Sequence, residues 1–180
     1  AYEIITKNML LYLDNQEKIN CMIRAAFCIS KGIGVRGMVA GQVADIEAEG
    51  MASSPDMVNY IHMNKTANFI KACVSAGGYL AGADKVLMNS LDVYGENLGL
   101  AFQVVDDILD VISNKEDLGH SIGKDEQEGK CTYPSVYGLE ESKNIAIELI
   151  DNARKAISGY YDNAEVLNYI LDLLYKEINE

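Results

Sequence analysis

The sequence predicts an all-α chain, and three observations carry that prediction. Proline occurs only twice in 180 residues, so almost nothing interrupts a helical backbone. Runs of strict apolar/polar alternation, the mark of half-buried strands, are few. Ala, Leu, Ile, Met and Glu, all of them compatible with helices, dominate the composition. With 49% hydrophobic residues, a chain of this length buries a sizeable single core.

Taken in order, the first helix covers about Tyr2 to Leu13 and breaks at Asp14-Asn15. No capping residue precedes it, so it reads as a helix already under way at Ala1. The second begins near Glu17 and ends at the glycines of positions 32 and 34. A third spans Gly37 to about Glu49 and stops at Gly50. Ser53-Ser54-Pro55-Asp56 is a start signal, with Ser54 as N-cap and Pro55 at the first helical position. The helix it starts carries His62, Lys65 and Thr66 and weakens at Gly77-Gly78. Asp84 caps a long apolar helix that continues through Asp110 to about Ser113. Asn114 to Lys130 reads as a polar loop with three glycines, and Tyr133-Pro134 opens a turn. Two closing helices, about Glu140 to Tyr160 and Ala164 to Ile178, are separated by Asp162-Asn163. No repeat or low-complexity tract is present.

Formal net charge is -12, which disfavours nucleic acid and anionic membranes as partners. No apolar run is long and uncharged enough to span a bilayer. Cys21, Cys28, Cys73 and Cys131 show no C-x-x-C spacing. They read as reduced thiols, with Cys21 and Cys28 as small core residues two turns apart. A cytoplasmic location is the expectation.

The most informative stretch is Gly99 to Val111, G-L-A-F-Q-V-V-D-D-I-L-D-V. As a helix, it sets Asp106 and Asp110 one turn apart on one face, with Gln103 a turn earlier and Asp107 alongside. Carboxylates drawn toward apolar neighbours lose hydration and repel one another, so they call for cations. An all-oxygen cluster suits a hard divalent ion such as Mg2+, which keeps waters and bridges carboxylates to phosphate oxygens. A bare D-D-x-x-D also reads as a solvated acidic face; the surrounding chain has to distinguish the two.

Other local patterns are read structurally. Gly32-Ile33-Gly34-Val35-Arg36-Gly37 matches G-x-G-x-x-G, but no strand precedes it, and glycines that break a helix account for it. Gly37 and Gly41, with Ala40 and Ala44, suit close approach of two helix backbones. His62 reads as a hydrogen-bonded structural histidine, and Lys65 alone as a solvated lysine beside a helical threonine.

The ordered set of motifs carries more. G-M-V-A-G-Q-V-A-D-I-E (Gly37 to Glu47) is followed by I-H-x-x-K-T (Ile61 to Thr66) and G-x-x-L-A-G (Gly77 to Gly82). Then come the carboxylate segment, L-G-x-x-x-G-x-D (Leu118 to Asp125), G-K-x-T-Y-P (Gly129 to Pro134) and Y-G-L-E-E-S-K (Tyr137 to Lys143). Together, over essentially the whole chain, they closely resemble the C-terminal half of the trans-isoprenyl diphosphate synthases, the farnesyl and geranylgeranyl diphosphate synthase family. Within it, a short-chain bacterial farnesyl-type enzyme is the nearest likeness.

The resemblance implies the C-terminal half of the isoprenoid synthase helical bundle, with residues 1–180 forming one partial domain. It implies a Mg2+-dependent condensation of an allylic diphosphate with isopentenyl diphosphate. Asp106, Asp107 and Asp110 would hold the metal. Lys65, Thr66 and Lys130 would contact diphosphate, and Gln103 would face the reacting carbons. Where the family usually carries lysine after Leu118-Gly119, this chain has His120, a weaker diphosphate contact at alkaline pH. The family's first aspartate-rich motif, its arginines and its isopentenyl diphosphate residues are not among these residues. The expected partners are therefore the missing N-terminal half and a second copy in a homodimer, with this chain inactive alone. The loop from Asn114 to Lys130, carrying Lys124 and Lys130, has the length and cations of a lid.

Three other readings compete. A non-catalytic synthase-like regulatory subunit would explain the lack of the first motif, but not the joint presence of Asp106, Asp107, Asp110, Lys65 and Lys130. A terpene cyclase usually carries N-D-x-x-S-x-x-x-E at this place, where the chain has D-D-x-x-D. An acidic helical interaction module leaves the ordered motifs unexplained.

Overall fold

A computed structural model of the chain describes residues 2–117 and 130–179. The elements it contains among these are all helical, as the composition predicts.

Helix α1, Tyr2–Leu10, ends in tighter turns, because the Leu11 and Tyr12 amides bond back three residues, to the Asn8 and Met9 carbonyls. That stops it short of the predicted Leu13. Asn15 caps α2, Gln16–Ile33, its side chain accepting from the Lys18 amide at 3.0 Å. The glycine-rich stretch after it leads directly into α3, Met38–Ala48, so the G-x-G-x-x-G match is a helix–helix joint.

Ser54 caps α4, Pro55–His62, as predicted, accepting from the Met57 amide at 3.3 Å. A π-helical turn, Met63–Ala67, then leads into α5, Asn68–Leu80. That turn is absent from the sequence reading. Gly77-Gly78 does not weaken α5. Instead a Cβ at Gly78 would lie 2.7 Å from the Met88 sulfur and the Leu91 Cδ1, so the glycine lets α5 press on the next helix.

That helix, α6, runs over 33 residues from Lys85 to Asp117, and Asp84 caps it by accepting from the Leu87 amide at 2.8 Å. It passes the predicted end at Ser113. Asn114 to Asp117 is therefore helix rather than the first part of a loop, and Lys and Glu in that stretch are good helix formers. The rest of the predicted loop up to position 129 lies outside the described residues. Where a turn was expected, a short helix, α7 (Tyr133–Tyr137), opens on a capping box between Thr132 and Ser135. Helix α8, Leu139–Ala156, a 3-10 stretch, Ser158–Asn163, and α9, Glu165–Asn179, complete the chain.

Helix α6 is the axis of the bundle, flanked mainly by α5 and α8. Its buried residues Tyr94, Leu98, Ala101, Val104, Val105 and Ile108 join Val58 and Ile61 of α4, Ala146 and Ile150 of α8 and Leu171 of α9 in one core. Spacings of three and four put these residues on one broad stripe. Tyr94, fully buried, donates from its hydroxyl to the Leu167 carbonyl at 2.9 Å and so ties α9 to the axis. Burial pushes its phenol up to about 12. Large apolar side chains on α1 to α3, among them Ile4, Leu10, Phe27 and Val43, stay exposed.

Candidate functional site

The stripe that buries α6 also sets its polar face. Residues 104, 105, 107 and 108 are buried, while Asp106 and Asp110 are exposed one turn apart. They line a cavity of about 110 Å3, together with Asp45 of α3, Lys65 of the π turn, Gln103 and Lys130. Six residues from four separate segments thus meet at one place.

Two polar connections organise it. Thr66 donates from its hydroxyl to Gln103 Oε1 at 2.6 Å, and Gln103 Nε2 donates to Asp106 Oδ2 at 3.1 Å. Lys65 Nζ lies 2.5 Å from Asp45 Oδ2. The π turn places Lys65 and Thr66 so that both adjacent residues engage, one toward α3 and the other toward α6.

Asp107 has a different environment from its two companions. It is 6% exposed, and its Oδ2 accepts from the Tyr133 amide at 2.9 Å and lies 3.3 Å from His62 Nε2. One residue on from Asp106 is about 100° further round a helix, which turns it inward. The His62 ring stacks on Tyr133 with centroids 5.0 Å apart, and the Tyr133 hydroxyl donates to the Asn59 side chain. Burial lowers His62 to about 4, opposed by the Asp45 charge and aided by Lys65. At neutral pH its contact with Asp107 is therefore made by an uncharged imidazole. His62 is buried against Asp107 and also lines the cavity, and its Nδ1 has no hydrogen-bond partner among the described residues. Burial also raises Tyr133 to about 12, with Tyr137 and Asp107 adding to it.

Of the residues singled out in the sequence, Lys65, Gln103, Asp106, Asp107, Asp110 and Lys130 line the cavity, and Thr66 is bonded to Gln103. His120 and Lys124 lie outside the described residues. Asp45 was missed as a site residue. Its signal was available, for it stands one turn after Gly41 inside the G-M-V-A-G-Q-V-A-D-I-E run. Gly41 is where α3 meets the π turn. A Cβ there would sit 2.1 Å from the Lys65 backbone nitrogen, so the predicted close approach of backbones is present. Asn59 and Tyr133, which support Asp107 and His62, had no comparable signal.

Among the described residues no group of three or more His, Cys, Asp or Glu is arranged to hold a metal ion. The arrangement of Asp106 and Asp110 fits Mg2+ all the same. This ion is typically held by one or two carboxylates, with waters and substrate phosphate oxygens filling its octahedron, and two exposed carboxylates at a cavity supply that share. A larger cavity, about 460 Å3 between α2 and α5, lacks such a pair. There Ser75 donates to Asp92 at 2.5 Å and Lys71 pairs with Glu96 at 2.7 Å.

Residues 5–170 match the family model described as polyprenyl synthetase. The chain is 40% identical over 154 residues to a dimethylallyltranstransferase of Fischerella ambigua, covering 85% of this chain and 44% of that protein. It is 37% identical over 158 residues to the farnesyl diphosphate synthase of Escherichia coli, covering 87% and 52%. In three dimensions it is similar to a Helicobacter pylori geranyltransferase solved with magnesium and isoprenyl diphosphate. That match has a TM-score of 0.71 and 26% identity, over 95% of this chain and 56% of the other. The chain thus spans about half the length of the relatives it matches.

Proposed function

The chain belongs to the polyprenyl synthetase family, and from that premise we propose that it supplies the second aspartate-rich site of a chain-elongating prenyltransferase. The reaction is the Mg2+-dependent condensation of an allylic diphosphate with isopentenyl diphosphate. What carries the reading is the convergence of Lys65, Gln103, Asp106, Asp110 and Lys130 on one small cavity, with Thr66 bonded to Gln103 behind it. Its members have the chemistry a diphosphate leaving group needs, carboxylates for a hard cation and ammonium groups for phosphate oxygens.

Asp106 and Asp110 present the metal-facing carboxylates, whereas Asp107, the third carboxylate expected to hold the metal, is turned to the Tyr133 amide and His62. When bound, Mg2+ neutralises charge that builds on a departing diphosphate. Lys65 and Lys130 add positive charge from two other segments, and the Thr66 hydroxyl, donating to Gln103, holds that amide beside them. The Gln103 amide and the backbone carbonyls near Lys65 and Thr66 face the electron-poor allylic carbons as the C–O bond ionises. The double bond of isopentenyl diphosphate then attacks, and the proton it sheds goes to the released diphosphate. The isopentenyl diphosphate residues belong to the half of the relatives that this chain does not span, so turnover needs that half. We further place the assembled enzyme in the cytoplasm as a homodimer. The free thiols among the described residues agree with a reducing compartment, and no described helix is long and apolar enough to cross a membrane.

The test is the unfolding temperature of the chain with Mg2+ and a non-hydrolysable allylic diphosphate analogue, together and singly. A rise that needs both, and that is lost in Asp106→Asn and Asp110→Asn, is the expected result, since a ligand of the native state raises its stability by mass action. No rise at saturating ligand overturns the reading. A rise without turnover once the complementary half is supplied would favour a regulatory subunit.

A further inference from the structure

We propose that Asp45 is a positioning residue of this site, acting through Lys65; the inference rests on the site reading given above. Asp45 belongs to α3 and Lys65 to the π turn 20 residues later, and their charged atoms lie 2.5 Å apart. Both side chains are partly shielded, at 18% and 34% exposure, and both line the cavity that Asp106 and Asp110 share.

Helix α3 meets Lys65 at two points. One is Gly41, whose missing side chain lets the helix rest on the Lys65 backbone. The other is Asp45, four residues on and therefore on the same helix face, which takes the ammonium. A lysine ends in a compact charge on a four-carbon stem with many rotamers. Left without an anchor beside two carboxylates, such a group pairs with them and competes with a metal ion for Asp106 and Asp110. Among the described residues its ion pair is with Asp45 instead. Asp45 thereby holds the Lys65 ammonium toward α3. An ammonium already fixed in place also loses less rotamer freedom when a phosphate oxygen arrives.

Two simpler roles for Asp45 have different consequences. If Asp45 were a metal ligand in its own right, its loss would add to that of Lys65. If the pair were only structural, its loss would lower stability and leave ligand affinity alone. Calorimetric titration of the 180-residue chain with inorganic pyrophosphate and Mg2+ reads the difference. Asp45→Asn and Lys65→Met should each weaken binding about tenfold, at the lower end of what losing a group behind the contact costs. The double variant should be no weaker than Lys65→Met. Unchanged affinity in Asp45→Asn, or losses that multiply in the double variant, overturns the proposal. If Lys65→Met binds as well as the unaltered chain, or that chain does not bind, the site reading itself fails and the proposal with it. Should the asparagine variant not fold, Asp45→Glu carries the same comparison. Its effect must be larger with Lys65 present than with Met in its place, and equal effects overturn the idea.

Discussion

The Thr66 hydroxyl and the Gln103 side-chain oxygen, 37 residues apart in sequence, meet at 2.6 Å and lock a π turn to the carboxylate helix. Because Gln103 also donates to Asp106, a single amide joins the π turn to a carboxylate of α6.

Breaking that series should act on binding more than on folding. Thr66→Val removes the donor and should cost about 1 kcal/mol of stability, the ordinary net worth of a hydrogen bond. Gln103→Leu removes both links and should lower affinity for Mg2+-pyrophosphate more than Thr66→Val does. Isothermal calorimetry on the two variants orders them, and the reverse order would remove the relay from the site.

Asp106 and Asp107 are neighbours with opposite expected phenotypes. Asp107→Ala leaves the buried Tyr133 amide without its acceptor, a loss of about 1–3 kcal/mol visible in urea unfolding. Asp106→Ala, on an exposed position, should stay within about 0.5 kcal/mol and lose ligand binding instead.

Gly41→Ala tests the contact between α3 and the π turn. Its methyl group would fall 2.1 Å from the Lys65 nitrogen, a backbone atom that cannot swing aside. Separation of the two segments should cost at least about 1–3 kcal/mol. A stability equal to that of the unaltered chain in thermal unfolding would show that the segments are not in contact.

Tyr94 predicts an alkaline limit. Its phenol titrates at about 12 in the fold, against an ordinary 10. The unfolded chain therefore gives up the proton first, and stability present below pH 10 drains away as pH rises toward 12. Relative to Tyr94→Phe, the unaltered chain should lose about 1.4 kcal/mol per pH step above 10. Parallel stability curves for the two proteins across that range would contradict it.

Much of this was readable in the residues, and the exceptions share a cause. Ser54 and Asp84 announce helix starts because a cap acts on amides two or three places away. The exposed and buried faces of Gly99 to Val111 follow from helical spacing alone. The π turn left no such mark, since Met63–Ala67 holds no proline or glycine and its composition is that of any helix. Asp45 stands one turn after Gly41 in the sequence, but its pairing with Lys65 exists only once α3 crosses the turn. Asn114 to Asp117 looked like loop through polarity, whereas Lys and Glu are good helix formers.

The π turn has a last consequence, in phase. A wider turn takes one residue more than an α-helical turn over the same rise, so the side-chain clocks of α4 and α5 differ by roughly 100° from those of an unbroken helix. Deleting one residue within Met63–Ala67 would yield an unbroken α-helix that looks more regular and fits worse. Either Val58 and Ile61 or Ala72 and Ser75 would rotate off the surfaces they now cover. Single-residue length changes here should thus be tolerated less well than most point substitutions, and the irregular turn behaves as a spacer with a fixed count.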